Sequence, residues 1–251
     1  MKWRTTWVIA LVCLSWPLAA SHAHLSAKGQ DGQKRLDRVL KRFVRDGLVD
    51  YQAIAKDEDF QQFLAWLETA RPESLQTKEE RLAFWINAYN ASAIAGVIRH
   101  FPLKKVLEVD GFFSKEQHAV AGSTYTLDQI EKEILFKKFG DPRLHFVLVC
   151  AAKSCSGLPS EAYSGPTVLR KMDEVARAFL NNPRKNRLDR SNKIFYLSQI
   201  FNWYASDFTG NGTTVLSFIE PFLSADKRAF ISRNKVEIKY LEYDWSLNLR
   251  D

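Results

Sequence analysis

"TKEERLAFWINAYNASAIAGVIRHF", Thr77 to Phe101, decides the fold. Thr77 followed three residues later by Glu80 is a capping-box pattern that starts a helix. Pro102 stops it, because proline has no N–H to give and clashes with the preceding turn. Between these marks, from Leu82 to Ile98, the segment is apolar almost all round. A helix with no polar face is buried. The expectation is a helix over 79–99 at the centre of the protein. It carries two exceptions, Asn87 and Asn90, which are i, i+3 neighbours on one face. Asparagine is a poor helix former, and a buried amide must be hydrogen-bonded. Either the pair ties down a neighbouring loop's backbone, or it lines a site as an orienting or oxyanion donor.

Outward from this helix, Leu36, Val39, Leu40 and Phe43 recur at helical spacing in "DGQKRLDRVLKRFVRDG", and "DFQQFLAWLETA" gives another helix before Pro72. On the other side, "KKVLEVDGFF" (104–113) and "HAVAGSTYTL" (118–127) read as strands around turns. "LDQIEKEILFKKF" is a helix closed by Gly140, and "LHFVLV" (144–149) is an apolar strand. "PTVLRKMDEVARAFLNN" is a helix with Pro166 near its first turn. "KIFYLS" is a strand, "QIFNWYASDF" a short helix, and "KVEIKYLEY" an alternating strand. Helices dominate, and strands and helices do not alternate regularly. The class is therefore α+β: a helix-rich single domain with a short, mostly antiparallel sheet around a buried central helix.

The first residues have the layout of a secretory signal. Lys2 and Arg4 precede the apolar run "WVIALVCLSWPLAA", and "SHA" offers a cleavage site after Ala23. Pro17 interrupts the run, which is too short to span a membrane comfortably. The expected organisation is a signal peptide over 1–23, an N-terminal helix over 24–47 and the main domain over 48–251. The product is periplasmic or secreted, with no membrane span after cleavage. Losing Lys2 and Arg4 lowers the net charge from +7 to +5. The densest basic run, "RKNRLDRSNK" (184–193), is broken by asparagines and an aspartate, so a nucleic-acid partner is not expected. No cofactor or metal is expected, and the sequence names no oligomeric state.

Cys150 and Cys155 are the two cysteines left after cleavage, because Cys13 sits in the signal. Export and an even count favour a disulfide. Their spacing also suits a metal clip, though no second close pair exists. A catalytic thiol is the third reading. Cys150 ends an apolar strand and is expected to be buried and inert. Cys155 is expected in an exposed loop beside Lys153, where a thiolate is favoured. Its base would be His118 or His145, although His145 should point to the opposite face of the strand from Cys150. Two function classes stay open. One is a cysteine-dependent hydrolase or acyl transferase on envelope peptides or small thiol compounds, with Asn87 or Asn90 assisting. The other is a non-catalytic binding module closed by a Cys150–Cys155 disulfide. In either case the asparagine face and the loop 150–157 are expected to meet, since both need hydrogen-bond partners in a buried setting. Glu131 and Glu133, two apart on different faces of a helix, are not a carboxylate pair.

"AFWINAYNA", "TLDQIEKEIL", "DPRLHFVLVCAAKSCSGLP", "FNWYASDF" and "YLEYDWSLN", in that order, resemble the family called domain of unknown function 547 over about 48–248. The resemblance implies a shared domain and shared motifs at Asn87, Asn90, Cys150 and Cys155, and no activity. Ser156 stands where the family has proline, which implies a looser loop.

Overall fold

The computed structural model describes residues 19–250 of the 251. The expected signal segment falls largely outside the described residues. The first helix, Ala19–Phe43, runs through the position expected for cleavage. Its Leu36, Val39 and Leu40 are buried. It packs along a second helix, Glu58–Thr69, whose Asp59 meets Arg35, Arg38 and Arg42. The hydrogen bond from Arg38 holds the Asp59 carboxyl down to about 2.

The central helix spans Lys78–Arg99, and fifteen of its residues between Leu82 and Val97 are buried. The capping box is present in both directions. The Glu80 amide donates to Thr77 Oγ1 at 3.0 Å, and the Thr77 amide donates to Glu80 Oε2 at 3.0 Å. Such a cap contributes about 1 kcal/mol.

The architecture is α+β and helix-rich, and its strands form three small sheets rather than one. Val44–Arg45 pairs with Leu48–Val49, and His118–Val120 pairs with Ser123–Tyr125, both antiparallel. The third sheet orders Arg187–Asp189, Ile194–Leu197 and Glu237–Tyr240, the last pair parallel. This sheet belongs to a second apolar cluster around Phe146, Phe195 and Phe201, on one side of the helix Val168–Asn181. Among the described residues no helix is long and apolar enough to cross a membrane.

Two segments differ from their sequence reading. "KKVLEVDGFF" forms a 3-10 turn, Val106–Glu108, and loops, not a strand. "LHFVLV" begins as a helical turn, Leu144–Val147, and only then extends. Among the described residues no strand lies beside it. The Asn90 side chain takes the place of one, donating to the Val147 carbonyl at 2.9 Å and accepting from the Val149 amide at 2.8 Å. A short, wholly apolar run fits a buried strand and a buried helical turn equally well.

Candidate functional site

The loop after Val149 is built by the far end of the chain. Ala151 O accepts from Asn248 N at 2.9 Å, Lys153 N donates to Ser246 O at 2.8 Å, and Ser154 N donates to Asp244 O at 3.1 Å. Ala151 adopts φ +60°, a left-handed conformation that costs a non-glycine residue about 1–2 kcal/mol. This turn sends the chain back on itself. At the loop's exit, Gly157 packs on Gly47. A Cβ on Gly157 would lie 2.9 Å from the Gly47 Cα, so neither position has room for a side chain. Ser156 is buried and its hydroxyl donates to the Phe146 carbonyl. The serine therefore ties the loop down, contrary to the looseness its replacement of proline implies.

This path reverses the exposure expected of the cysteines. Cys155 is 2% exposed, whereas Cys150 is half-buried. Of the residues that made the loop look exposed, Lys153 faces outward, while Ser154 is half-buried with its hydroxyl accepting from the Asp244 amide at 2.8 Å, and Tyr243 lies beside Cys155. Both cysteines are free and approach to 3.3 Å, well beyond the ~2.05 Å of a disulfide. Cys155 Sγ accepts from the Cys150 amide at 3.2 Å, and Cys150 Sγ lies 3.3 Å from the Tyr243 hydroxyl. The Cys150 thiol and amide, with the Lys185 ammonium nearby, hold the Cys155 thiol below its ordinary range against the opposing effect of burial. Cys150 is driven the other way, by the same hydrogen bond and by burial. Cys155 Sγ also donates to the Leu148 carbonyl at 3.6 Å, so Cys155 is a thiol whose proton its neighbours make easier to lose. The cation involved is Lys185, whose ammonium donates to the Cys155 carbonyl, rather than Lys153.

Both sulfurs line a cavity of about 460 Å³. His145 lines it too. Its Nε2–H donates to Asp207 Oδ2 at 2.8 Å, and its ring stacks on Tyr204 with centroids 4.1 Å apart. A carboxylate can only accept, so Asp207 fixes the proton on Nε2 and leaves Nδ1 as the acceptor, with no partner among the described residues. Burial lowers the His145 pKa, so the ring is neutral at pH 7. No hydrogen bond joins it to either sulfur. Glu131 also lines the cavity. Burial, then the charge of Asp128, pushes its carboxyl up to about 7, with Lys132 and the Tyr89 hydroxyl pulling the other way.

The other sequence candidates lie elsewhere. His118 hydrogen-bonds Arg99 at 2.9 Å, does not line the cavity, and is pushed down to about 4 by burial and the Arg99 charge. Asn90 holds the strand-like stretch just before Cys150. Asn87 holds the chain beyond the loop, donating to Tyr163 O at 2.8 Å and accepting from Tyr163 N at 2.9 Å. Each amide gives one N–H to a backbone carbonyl and takes one backbone N–H on its oxygen, and neither lines the cavity. They are clamps on either side of the cysteine loop, set away from the cavity where an oxyanion would form.

Sequence reasoning missed Tyr243, Lys185, Asp207 and Glu131. Only Glu131 left a local signal: it sits three and four residues before the buried Ile134 and Leu135, on the apolar side of its helix. Among the described residues, no three histidine, cysteine or carboxylate side chains gather as a metal-ligand set. No curated protein and no solved structure matches the chain. Residues 72–180, which hold the central helix and both cysteines, match the family model described as "Protein of unknown function, DUF547", a narrower span than the motifs suggest but one that supports the resemblance they carry.

Proposed function

We propose that the chain is an exported cysteine-dependent hydrolase or acyl transferase acting on envelope peptides or small thiol compounds. The observation that carries this reading is the Cys155 sulfur: a buried thiol held below its ordinary pKa by its neighbours, at a cavity that also holds an Asp207-oriented neutral imidazole. In the first half-reaction the Cys155 proton crosses the cavity to His145 Nδ1, and the sulfur attacks an acyl carbon. A C–S bond forms, the bond to the leaving group breaks, and the leaving group takes the proton from His145. Water or a thiol then attacks the thioester, giving its proton to His145. The acyl group departs on that acceptor, and the proton returns to Cys155.

A second reading, a binding module closed by a Cys150–Cys155 disulfide, is favoured by their 3.3 Å approach and by the absence of a histidine–sulfur hydrogen bond. Iodoacetamide labelling followed by peptide mass spectrometry separates the two. Labelling of Cys155 in untreated protein, lost in Cys155→Ser, supports the enzyme. Labelling that requires prior reduction supports the module and ends the enzyme reading. Export rests on the "SHA" site, and N-terminal sequencing of envelope protein should begin near His24. An intact Met1 on the isolated protein removes that part.

A further inference from the structure

The cavity's lining has an unusual chemical balance. The chain carries a net charge of +7, yet among the described residues no lysine or arginine lines the cavity, and three carboxylates do: Asp110, Asp128 and Glu131. Asp110 is paired with Lys115 at 2.6 Å and Asp128 with Lys132 at 3.0 Å. Glu131 forms no ion pair among the described residues. Glu131 alone of the three is left without a cation, and a cationic ligand would supply that partner.

The opposite feature of the lining is an aromatic wall. Trp203 and Trp245 are nearly parallel, with centroids 5.8 Å apart, and Tyr243 packs 4.8 and 4.7 Å from them. Trp203 remains 47% exposed, and Leu107 across the lining is 50% exposed. Large apolar side chains left open at a concave site are unexplained by folding and mark a contact surface. Indole faces attract ammonium groups through the ring quadrupole.

We infer that this cavity binds a small organic ammonium group, with its apolar carbon shell against Trp203 and its charge balanced by Glu131. The inference deepens the proposed function by naming what the site holds, and rests on it only for the site's identity. In that reading the ammonium belongs to the acyl donor or to the acceptor, and its charge selects the substrate.

Isothermal titration calorimetry of the whole protein at pH 8 tests this with two matched pairs. Nα-acetyl-lysine methylamide is set against the norleucine analogue, and choline against 3,3-dimethylbutan-1-ol. Each neutral twin keeps the shape and loses the charge, and the pairs distinguish a primary ammonium from a quaternary one. At least one cation should bind about tenfold more tightly than its twin, within the range an ammonium gains on a desolvated aromatic face. Glu131→Gln should remove most of that preference while leaving the neutral twin unchanged. Trp203→Leu should weaken the cation, and Trp203→Phe, which keeps an aromatic face against Tyr243 and Trp245, should weaken it less. Equal binding of both twins, binding of no probe, or a preference untouched by Glu131→Gln overturns the inference. A protein that prefers the cation but whose Cys155 resists iodoacetamide loses the acyl-transfer reading and keeps this one. Labelling without cation preference does the reverse.

Discussion

Asn90→Leu separates a clamp that shapes the cysteine loop from one that merely holds the fold. The asparagine satisfies two buried backbone groups, Val147 O at 2.9 Å and Val149 N at 2.8 Å. Leucine satisfies neither. Each orphaned group costs about 1–3 kcal/mol, so the gross loss is about 2–6 kcal/mol. The new apolar side chain offsets on the order of 1 kcal/mol of this. Asn87→Leu is the matched control. It orphans two backbone groups of the same kind on Tyr163, so it should destabilise by a similar amount. The two variants part in their effect on Cys155. Val149 is joined directly to Cys150, whose amide and thiol hold the Cys155 pKa down, whereas Tyr163 lies beyond the loop. Urea denaturation measures the stability of both variants. The rate of Cys155 alkylation against pH, measured in native buffer, reports the sulfur. Asn90→Leu should move the alkylation midpoint toward ordinary thiol values, and Asn87→Leu should leave it in place. Equal displacement by both, or by neither, refutes the idea that Asn90 sets the chemistry of the loop.

Two further outcomes follow from individual groups. Glu131 holds its proton to about 7 in the fold and to about 4.5 when unfolded, so the native state should lose stability as pH rises between those values and level off above them. Cavity water reduces the full ~3 kcal/mol of such a displacement to about 1–2 kcal/mol, and urea titrations at pH 5 and pH 8 should show that drop in the wild type and not in Glu131→Gln. Ala151→Gly relieves a left-handed alanine but adds freedom to the unfolded chain, so thermal melting should show a net gain of up to about 1 kcal/mol, and a clear loss would mean the turn is not strained.

The central helix was readable because its signals are local. Thr77, Glu80 and Pro102 bracket it, and an all-apolar body allows no exposed placement. The two asparagines were readable as buried amides in need of partners, since that need follows from burial alone. Their partners were not, because Val147, Val149 and Tyr163 are between 57 and 76 residues away. The exposure of the cysteines was misjudged for the same reason. Polarity at Lys153 describes the loop's outer side, while Tyr243, far along the chain, lies beside Cys155. The His145–Asp207 bond joins positions 62 apart, and no local pattern announces it.

The loop's dependence on residues 243–248 has a consequence for synthesis. A ribosome makes Cys150 and Cys155 about ninety residues before it makes Tyr243, Ser246 and Asn248. Until residues 244–248 emerge, the backbone groups of Ala151, Lys153 and Ser154 lack those partners. A chain that stops before Tyr243 holds both thiols but lacks the segment that pairs with the backbone of their loop. Synthesis through Asn248 is therefore what completes the setting of the cysteine pair.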